Sequence, residues 1–344
     1  MDLVTLFIIC VKALFVFAAI MLTVMAMTLA ERRVSAFMQN RLGPNRVGPK
    51  GLLQPLADGI KFLMKEDVIP DGVDKPIFLL APVMLLVPAL MTFAIIPFGS
   101  ELHLFGREIQ LQVADINIGI LYILALTSVG VYGIVLAGWS SNSKYPLLGG
   151  LRSSAQLISY ELAMGLAIIS IVLLAGSLRL NDIITQQQGH FLSWNVFKQP
   201  LAFLIFVVAT YAETNRLPFD LTEAEQELVG GYHTEYSSMK FAMFFTAEYA
   251  NMVTAAALTV TLFFGGWDVP LLNETSIGVL GAILSVLSFV LKTAFFLFLF
   301  IWVRWTFPRF RYDQLMKLGW KVMLPLALIN IFVTAGYLTL TSMR

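Results

Sequence analysis

Eight apolar runs divide the chain, near residues 3–30, 77–98, 115–138, 154–178, 197–212, 240–264, 278–303 and 321–341. A helix needs about 20 apolar residues to cross the hydrocarbon core of a bilayer. Backbone in lipid must also satisfy its own hydrogen bonds, which a helix does within one segment. The sequence therefore predicts an all-α polytopic membrane protein with about eight transmembrane helices. Composition agrees: 58% of the 344 residues are hydrophobic and 13% are charged, against roughly 45–50% and about 25% in soluble domains. The fifth run is the shortest and begins beside Lys198 and Pro200. The first is about twice the length of a signal-peptide h-region and runs into Glu31-Arg32-Arg33, so it reads as a retained span. No internal repeat of about 20–50 residues is visible, and residues 1–344 read as a single membrane domain.

Most of the 23 Lys and Arg residues lie in or beside the odd-numbered connections, among them Arg32, Arg33, Arg41, Arg46, Lys50, Lys61, Lys65, Lys144, Arg152, Arg216, Arg304, Arg309 and Arg311. The even connections and the C-terminus carry Arg107, Arg179, Lys198 and Arg344. This bias places the odd connections on the cytoplasmic side and both termini opposite. A net charge of +1 gives no reason to expect nucleic acid. Cys10 is the single cysteine, and an iron–sulfur cluster needs about four ligands. His103, His190 and His233 all lie outside the long apolar runs. No metal, haem or covalent catalytic residue is expected here, so redox chemistry would use a cofactor on another chain.

Residues 31–76 form the first cytoplasmic connection. Gly43-Pro44, Gly48-Pro49 and Pro55 restrict its backbone. Leu53, Leu56, Ala57, Ile60, Leu63 and Met64 then recur at helical spacing, with Asp58, Lys61, Lys65 and Glu66 elsewhere. That pattern predicts an amphipathic interfacial helix of about four turns. Such a helix either rests on lipid, flanked by positive-inside arginines, or walls an opening where an amphiphilic substrate enters.

Acids form the second pattern. Glu161 and Glu248 fall inside the fourth and sixth runs, Glu213 closes the fifth and Glu31 closes the first, all toward the same side. An ionised acid at mid-membrane costs about 2.5–3.5 kcal/mol, so such residues usually face the bundle interior and mark ion or proton pathways. Pairing with Lys12 or Lys292 for packing alone is the plain alternative. Residues 213–239 form an acidic connection with Glu213, Asp220, Glu223, Glu225, Glu227 and Glu235 around the single cation Arg216 up to Tyr236. A capping box of Thr222 and Glu225 explains one or two of these. Clustered, partly buried carboxylates raise each other's pKa toward the range where protons move. Lys12 fits snorkelling to the opposite face, while Lys292, near the middle of its run, is expected to pair with an acid of a neighbouring helix.

The stretches "AETNRLPFDLTEAEQELVGGYHTEY", "QNRLGPNRVGPKGLLQPLADGIKFLMKED", "SYELAMG", "FFTAEYANM" and "WVRWTFPRFRYDQLM" resemble the family of the membrane H subunit of the proton-translocating NADH:quinone oxidoreductase, respiratory complex I. Its mitochondrial counterpart is NADH dehydrogenase subunit 1. The resemblance spans essentially the whole chain. It implies a membrane subunit that forms most of a quinone-access chamber and starts the carboxylate path coupling quinone reduction to proton translocation. Glu31, Arg32, Arg41, Asp58 and Lys61 would line the entrance, with Arg216, Asp220, Glu223, Glu225, Glu227 and Glu235 beside the cavity. Glu161, Glu213 and Glu248 would begin the proton path, with Lys292 added to it. Quinone would be the substrate; FMN and iron–sulfur clusters would sit in partner subunits of the membrane and hydrophilic arms. A bacterial inner membrane is the expected location. One departure is that the third run, Ile116 to Leu136, carries no acid, where some relatives place a glutamate. Membrane anchors of hydrogenases or of ferredoxin- or F420-linked dehydrogenases are the related alternative, and a stand-alone ion-coupled transporter the unrelated one.

Overall fold

The computed structural model describes residues 3–104, 107–221, 228–270 and 278–342. Helix α1, Leu3–Met38, continues past the apolar run because Ala, Glu and Arg are good helix formers. It ends where Asn40 takes a positive φ of 52° ahead of Gly43-Pro44. Glu31 and Arg32 are therefore helix residues, and the connection expected over 31–76 contracts to 39–74. Within it lies α2, Gln54–Met64, whose 11 residues make about three turns rather than four. Leu56, Ile60, Leu63 and Met64 on its apolar face are exposed.

Helices α3 (Lys75–Met91), α4 (Gly119–Ser140) and α5 (Lys144–Ala175) pack in sequence order, and α8 (Pro200–Glu213) lies against α5. The short α6 (Leu180–Thr185) and α7 (Asn195–Lys198) precede α8. Then come α9 (Ser238–Phe263), α10 (Val279–Thr306), the short α11 (Tyr312–Lys317) and α12 (Leu324–Ser342), with a π-helical turn at Leu318–Met323. A Cβ on Gly133 would meet the Leu85 amide nitrogen at 2.9 Å, so only glycine lets α4 approach α3 this closely. A two-stranded antiparallel hairpin, β1 (Glu101–Leu104) and β2 (Arg107–Gln110), follows α3 with Glu101 opposite Gln110. The expectation of an all-helical chain did not include it.

Six helices among the described residues are long and apolar enough to cross a membrane: Leu6–Met38, Lys75–Ala94, Gly119–Ser140, Lys144–Ala175, Val279–Thr306 and Tyr312–Thr341. The other two expected spans differ in kind. Helix α8 is apolar but only 14 residues long, about 21 Å. Helix α9 has 26 residues, yet Glu248, Asn251 and its threonines lower its hydropathy. Its position explains this. Helices α1, α2, α3, α8 and α10 all pack on it, and every residue from Met252 to Phe263 is buried. A helix enclosed by protein needs no apolar coat. Ala250, Ala255, Ala256 and Ala257 admit close neighbours, which is how helices associate without water to drive them together. Thr254, Thr259 and Thr261 donate to carbonyls four residues back, so their hydroxyls are satisfied internally. Large apolar side chains on the peripheral helices, such as Phe15, Leu14, Phe332 and Val333, point outward.

At the hairpin end of the bundle, Arg179 binds Asp115 and holds its carboxyl below the usual range, while Asn181 donates to Gln112. Lys12 donates to the backbone carbonyls of Gln110 (3.3 Å) and Gln112 (2.8 Å), which is the snorkelled arrangement. Lys292 donates to the carbonyls of Phe264 (2.9 Å), Gly266 (3.1 Å) and Asp268 (2.7 Å) just past the C-terminus of α9. It also lies 4.8 Å from the Trp194 ring centroid. A cation at that end of a helix meets its exposed carbonyls and the negative pole of its dipole.

Candidate functional site

At the opposite end of the bundle, α1, the loop after α8, α9 and α10 bring two arginines, two glutamates and a tyrosine together. Arg216, 4% exposed, places Nη1 3.1 Å from Glu31 Oε2 and Nε 2.6 Å from Glu248 Oε1. The Tyr249 hydroxyl donates to Glu31 Oε2 at 2.6 Å, and Arg304 from the end of α10 binds Glu31 Oε1. Arg216 also lies over the Tyr249 ring, 4.4 Å from its centroid, a favourable placement for a cation. Burial pulls the guanidinium pKa down, but Glu248 and Glu31 more than offset it, so Arg216 stays charged. Two cations and two anions make this cluster formally neutral, which is how buried charge is tolerated.

The backbone around Arg216 is held from α5 and from the segment before α11. Gln156, fully buried, donates to the carbonyls of Ala212 (2.8 Å) and Phe219 (2.9 Å). The Phe310 amide donates to Pro218 O at 3.0 Å, and Arg309 pairs with Asp220 at 2.8 Å. Downstream, Tyr236 stacks on Phe78 with centroids 3.9 Å apart, and burial pushes its hydroxyl up to about 12. Gln156→Leu removes the donor for two buried carbonyls, which costs about 1–3 kcal/mol. The expected outcome is a lower unfolding temperature of the purified assembly together with weaker quinone turnover, and Gln156→Glu should be at least as damaging because a carboxylate has no donor for these carbonyls.

Glu248 also faces a second space. An internal cavity of about 30 Å³ is lined by Glu161 from α5, Glu213 from α8 and Glu248 from α9, with Thr127, Asn215 and Asn251. Two smaller cavities of about 20 and 10 Å³ share Thr127 and Asn251 with it. Ser128 donates to Glu161, and Thr127 is hydrogen-bonded to Glu213. Its described lining holds three carboxylates and no Lys or Arg. About 10–15 Å³ suffices for one water given polar partners, so the cavity at the three glutamates has room for about two.

The expected site residues divide between these two places and the surrounding surface. Glu31 and Arg216 sit in the ion cluster, Glu161 and Glu213 line the cavity, and Glu248 belongs to both. Helix α5 begins at Lys144 rather than near 154, so Glu161 lies deeper along its helix than the apolar run suggested. Arg32 pairs with Asp58 at 2.6 Å, and Gln54 donates to the same carboxylate, which ties α2 to α1. Arg41 donates to Gln39 and is exposed, as is Lys61, so neither joins the cluster. Glu235 is half-buried in the turn before α9. Thr222, Glu223, Glu225 and Glu227 lie outside the described residues. Lys292 is placed far from the acids: its carbonyl partners begin 16 residues beyond Glu248, about 24 Å along a helical path. Glu248 pairs with Arg216 of the acidic connection, where the packing alternative named Lys12 or Lys292. The sequence reading missed Tyr249, Arg304 and Arg309 as partners. Its only signal for the arginines was their place in a positive flank, which any cytoplasmic arginine shares. Among the described residues no group of three or more His, Cys, Asp and Glu side chains could hold a metal ion.

Comparison with known proteins places this arrangement in a lineage. A family model described as NADH dehydrogenase matches residues 11–335. An NADH-quinone oxidoreductase H subunit of Geobacter sulfurreducens is 55% identical over 343 residues, covering 96% of this chain and 95% of the relative. The corresponding protein of Geobacter metallireducens is 56% identical over 334 residues, covering 94% and 93%. That of Cytophaga hutchinsonii is 52% identical over 330 residues, covering 94% and 95%. Similarity of this extent leaves no segment large enough for a different architecture, and the chain belongs to the NADH dehydrogenase family of membrane subunits represented by the H subunit of NADH-quinone oxidoreductase.

Proposed function

We propose that the chain forms a wall of the quinone-access chamber of a proton-translocating NADH:quinone oxidoreductase and starts its proton-coupling path. The observation that carries the reading is the double placement of Glu248, held by Arg216 on one side and lining the Glu161–Glu213 cavity on the other. Electrons would come from an iron–sulfur cluster on a partner subunit, with FMN further upstream. Each quinone takes two electrons and two protons to become quinol. Charge arriving beside the cluster competes with Glu248 for Arg216 and frees that carboxylate to accept a proton. Water in the cavity and the Thr127 hydroxyl can then pass the proton to Glu213 and Glu161, with Asn251 orienting that water through its amide hydrogen bonds.

An amphiphile with its tail in lipid would enter beside α1 and α2, which Arg32 and Asp58 tie together. Arg41, Lys61, Asp220 and Glu235 would surround this region, together with Glu223, Glu225 and Glu227. Positive-inside bias supports a cytoplasmic location for this end of the bundle in a bacterial inner membrane. We read Lys292 as lying outside the path, a reading its carbonyl contacts at the end of α9 support. Affinity purification through this subunit from its native membrane should recover iron–sulfur and flavin subunits, with NADH:quinone activity in the eluate. Recovery of a homogeneous single-chain transporter, active in substrate uptake by itself, would refute the reading.

A further inference from the structure

An apolar groove at the hairpin end of the bundle has a basic head. Between α1, α9 and α10 lies a cavity of about 290 Å³, lined by Phe15, Ala19, Phe98, Ala257, Phe289 and Val290 among others. Beside it, between the hairpin and α10, a second cavity of about 360 Å³ is lined by Leu102, Leu111 and Ile283, and shares Val286 and Val290 with the first. Along α1 the lining runs from Phe15 to Thr23, about 12 Å parallel to the helix. Phe15 and Val290 are exposed, so the groove opens sideways, toward the surface that lipid covers.

Lys12 lies one turn from Phe15 and Val16, toward the hairpin. Two of its three ammonium protons point at the Gln110 and Gln112 carbonyls, which fix the head at the rim where Leu111 lines the second cavity. An ammonium has three donors, so one is left for an anion. We propose that this groove binds one anionic phospholipid of the hairpin-side leaflet, with its phosphate on Lys12 and an acyl chain along α1 and α10. Charge selects the headgroup, and the length of the groove along the helix selects an extended chain. A quinone fits less well, because the groove's basic head at Lys12 lies 19 residues along α1 from Glu31 of the Arg216 cluster, about 28 Å, and a neutral carbonyl gains less from an ammonium than a phosphate does. Lipid binding here does not depend on quinone chemistry at the other end of the bundle.

The test reconstitutes the purified complex in phosphatidylcholine vesicles doped with phosphatidylglycerol that carries a diazirine in its acyl chain. After illumination, label is expected on Phe15 to Thr23 and on Val286 to Ala294. Lys12→Gln should lower it about fivefold, since one basic side chain beside an anionic lipid is worth about 1 kcal/mol. Lys12→Arg should keep it, and Ala19→Trp should remove it by filling the groove. Co-purification of the flavin and iron–sulfur subunits through each variant, with NADH:quinone activity, reports that it has assembled. Equal labelling by a diazirine phosphatidylcholine, unchanged by Lys12→Gln, would overturn the proposal. So would labelling by an isoprenoid quinone probe in place of the phospholipid.

Discussion

Arg216→Leu is expected to destroy the centre of the site and to destabilise the subunit. The change leaves Glu31 and Glu248 buried and removes the cation they share, while Arg304 stays on Glu31. Removing one partner of a buried ion pair costs about 3–5 kcal/mol, because the remaining charge loses its counter-ion without regaining water. The subunit should be depleted from purified complexes, and quinone reduction should fall below detection. Arg216→Lys should assemble but remain impaired. A single ammonium cannot reproduce the placement of Nη1 on Glu31 and Nε on Glu248, and losing one charged hydrogen bond costs about 1.5–3 kcal/mol. Combining Arg216→Leu with Glu31→Gln and Glu248→Gln separates structure from chemistry. Assembly should largely recover, since the one charge left in the cluster, Arg304, is 28% exposed and can be hydrated, while turnover stays absent. Recovery of turnover in the triple variant would reduce the cluster to a packing device.

The second large effect concerns the acids that line the cavity. Glu213→Gln keeps shape and hydrogen bonding but removes a proton carrier from the cavity shared with Glu161 and Glu248. Quinone-coupled turnover and proton translocation in proteoliposomes should both fall on the order of a hundredfold, the scale of losing a positioned acid or base. Glu248→Gln should do the same and also loosen Arg216. Electron transfer from NADH to ferricyanide should be unchanged in both, because that acceptor does not use the chamber. Ser128→Ala offers a graded comparison: Glu161 loses one hydrogen bond but remains a carboxylic acid, so a loss of about 0.5–1.5 kcal/mol is the expected scale.

Much of the scaffold was legible because lipid imposes a simple rule on apolar runs. The peripheral helices follow it, and six satisfy the length and composition that the rule demands. Where protein replaces lipid, the rule loses force. Helix α9 could thus be polar, and α8 could be short. The extension of α1 through Glu31 and Arg32 was hidden because helix propensity continues after hydropathy stops. The hairpin at 101–110 was hidden because strands of four residues give too little alternation to read.

The site shows the same division. Buried Glu161 and Glu248 stand out in a sequence, since acids inside apolar runs are costly and rare. Which cation meets which acid depends on how loops return to the bundle. Arg216 reaches Glu248 only because Gln156 and Phe310 pin the loop that carries it. Arg304 and Tyr249 reach Glu31 from two different helices. Lys292 is a subtler case: its depth in an apolar run suggested an acid partner, and the open carbonyls past the end of α9 are among the groups it binds.

Redox-triggered infrared difference spectroscopy of the reconstituted complex tests the central claim most directly. Quinone reduction should change the protonated-carboxyl bands, and Glu213→Gln and Glu248→Gln should each remove part of that signal at equal extents of reduction. An unchanged carboxyl spectrum in both variants, with normal quinone reduction, would contradict a proton path that begins at these acids.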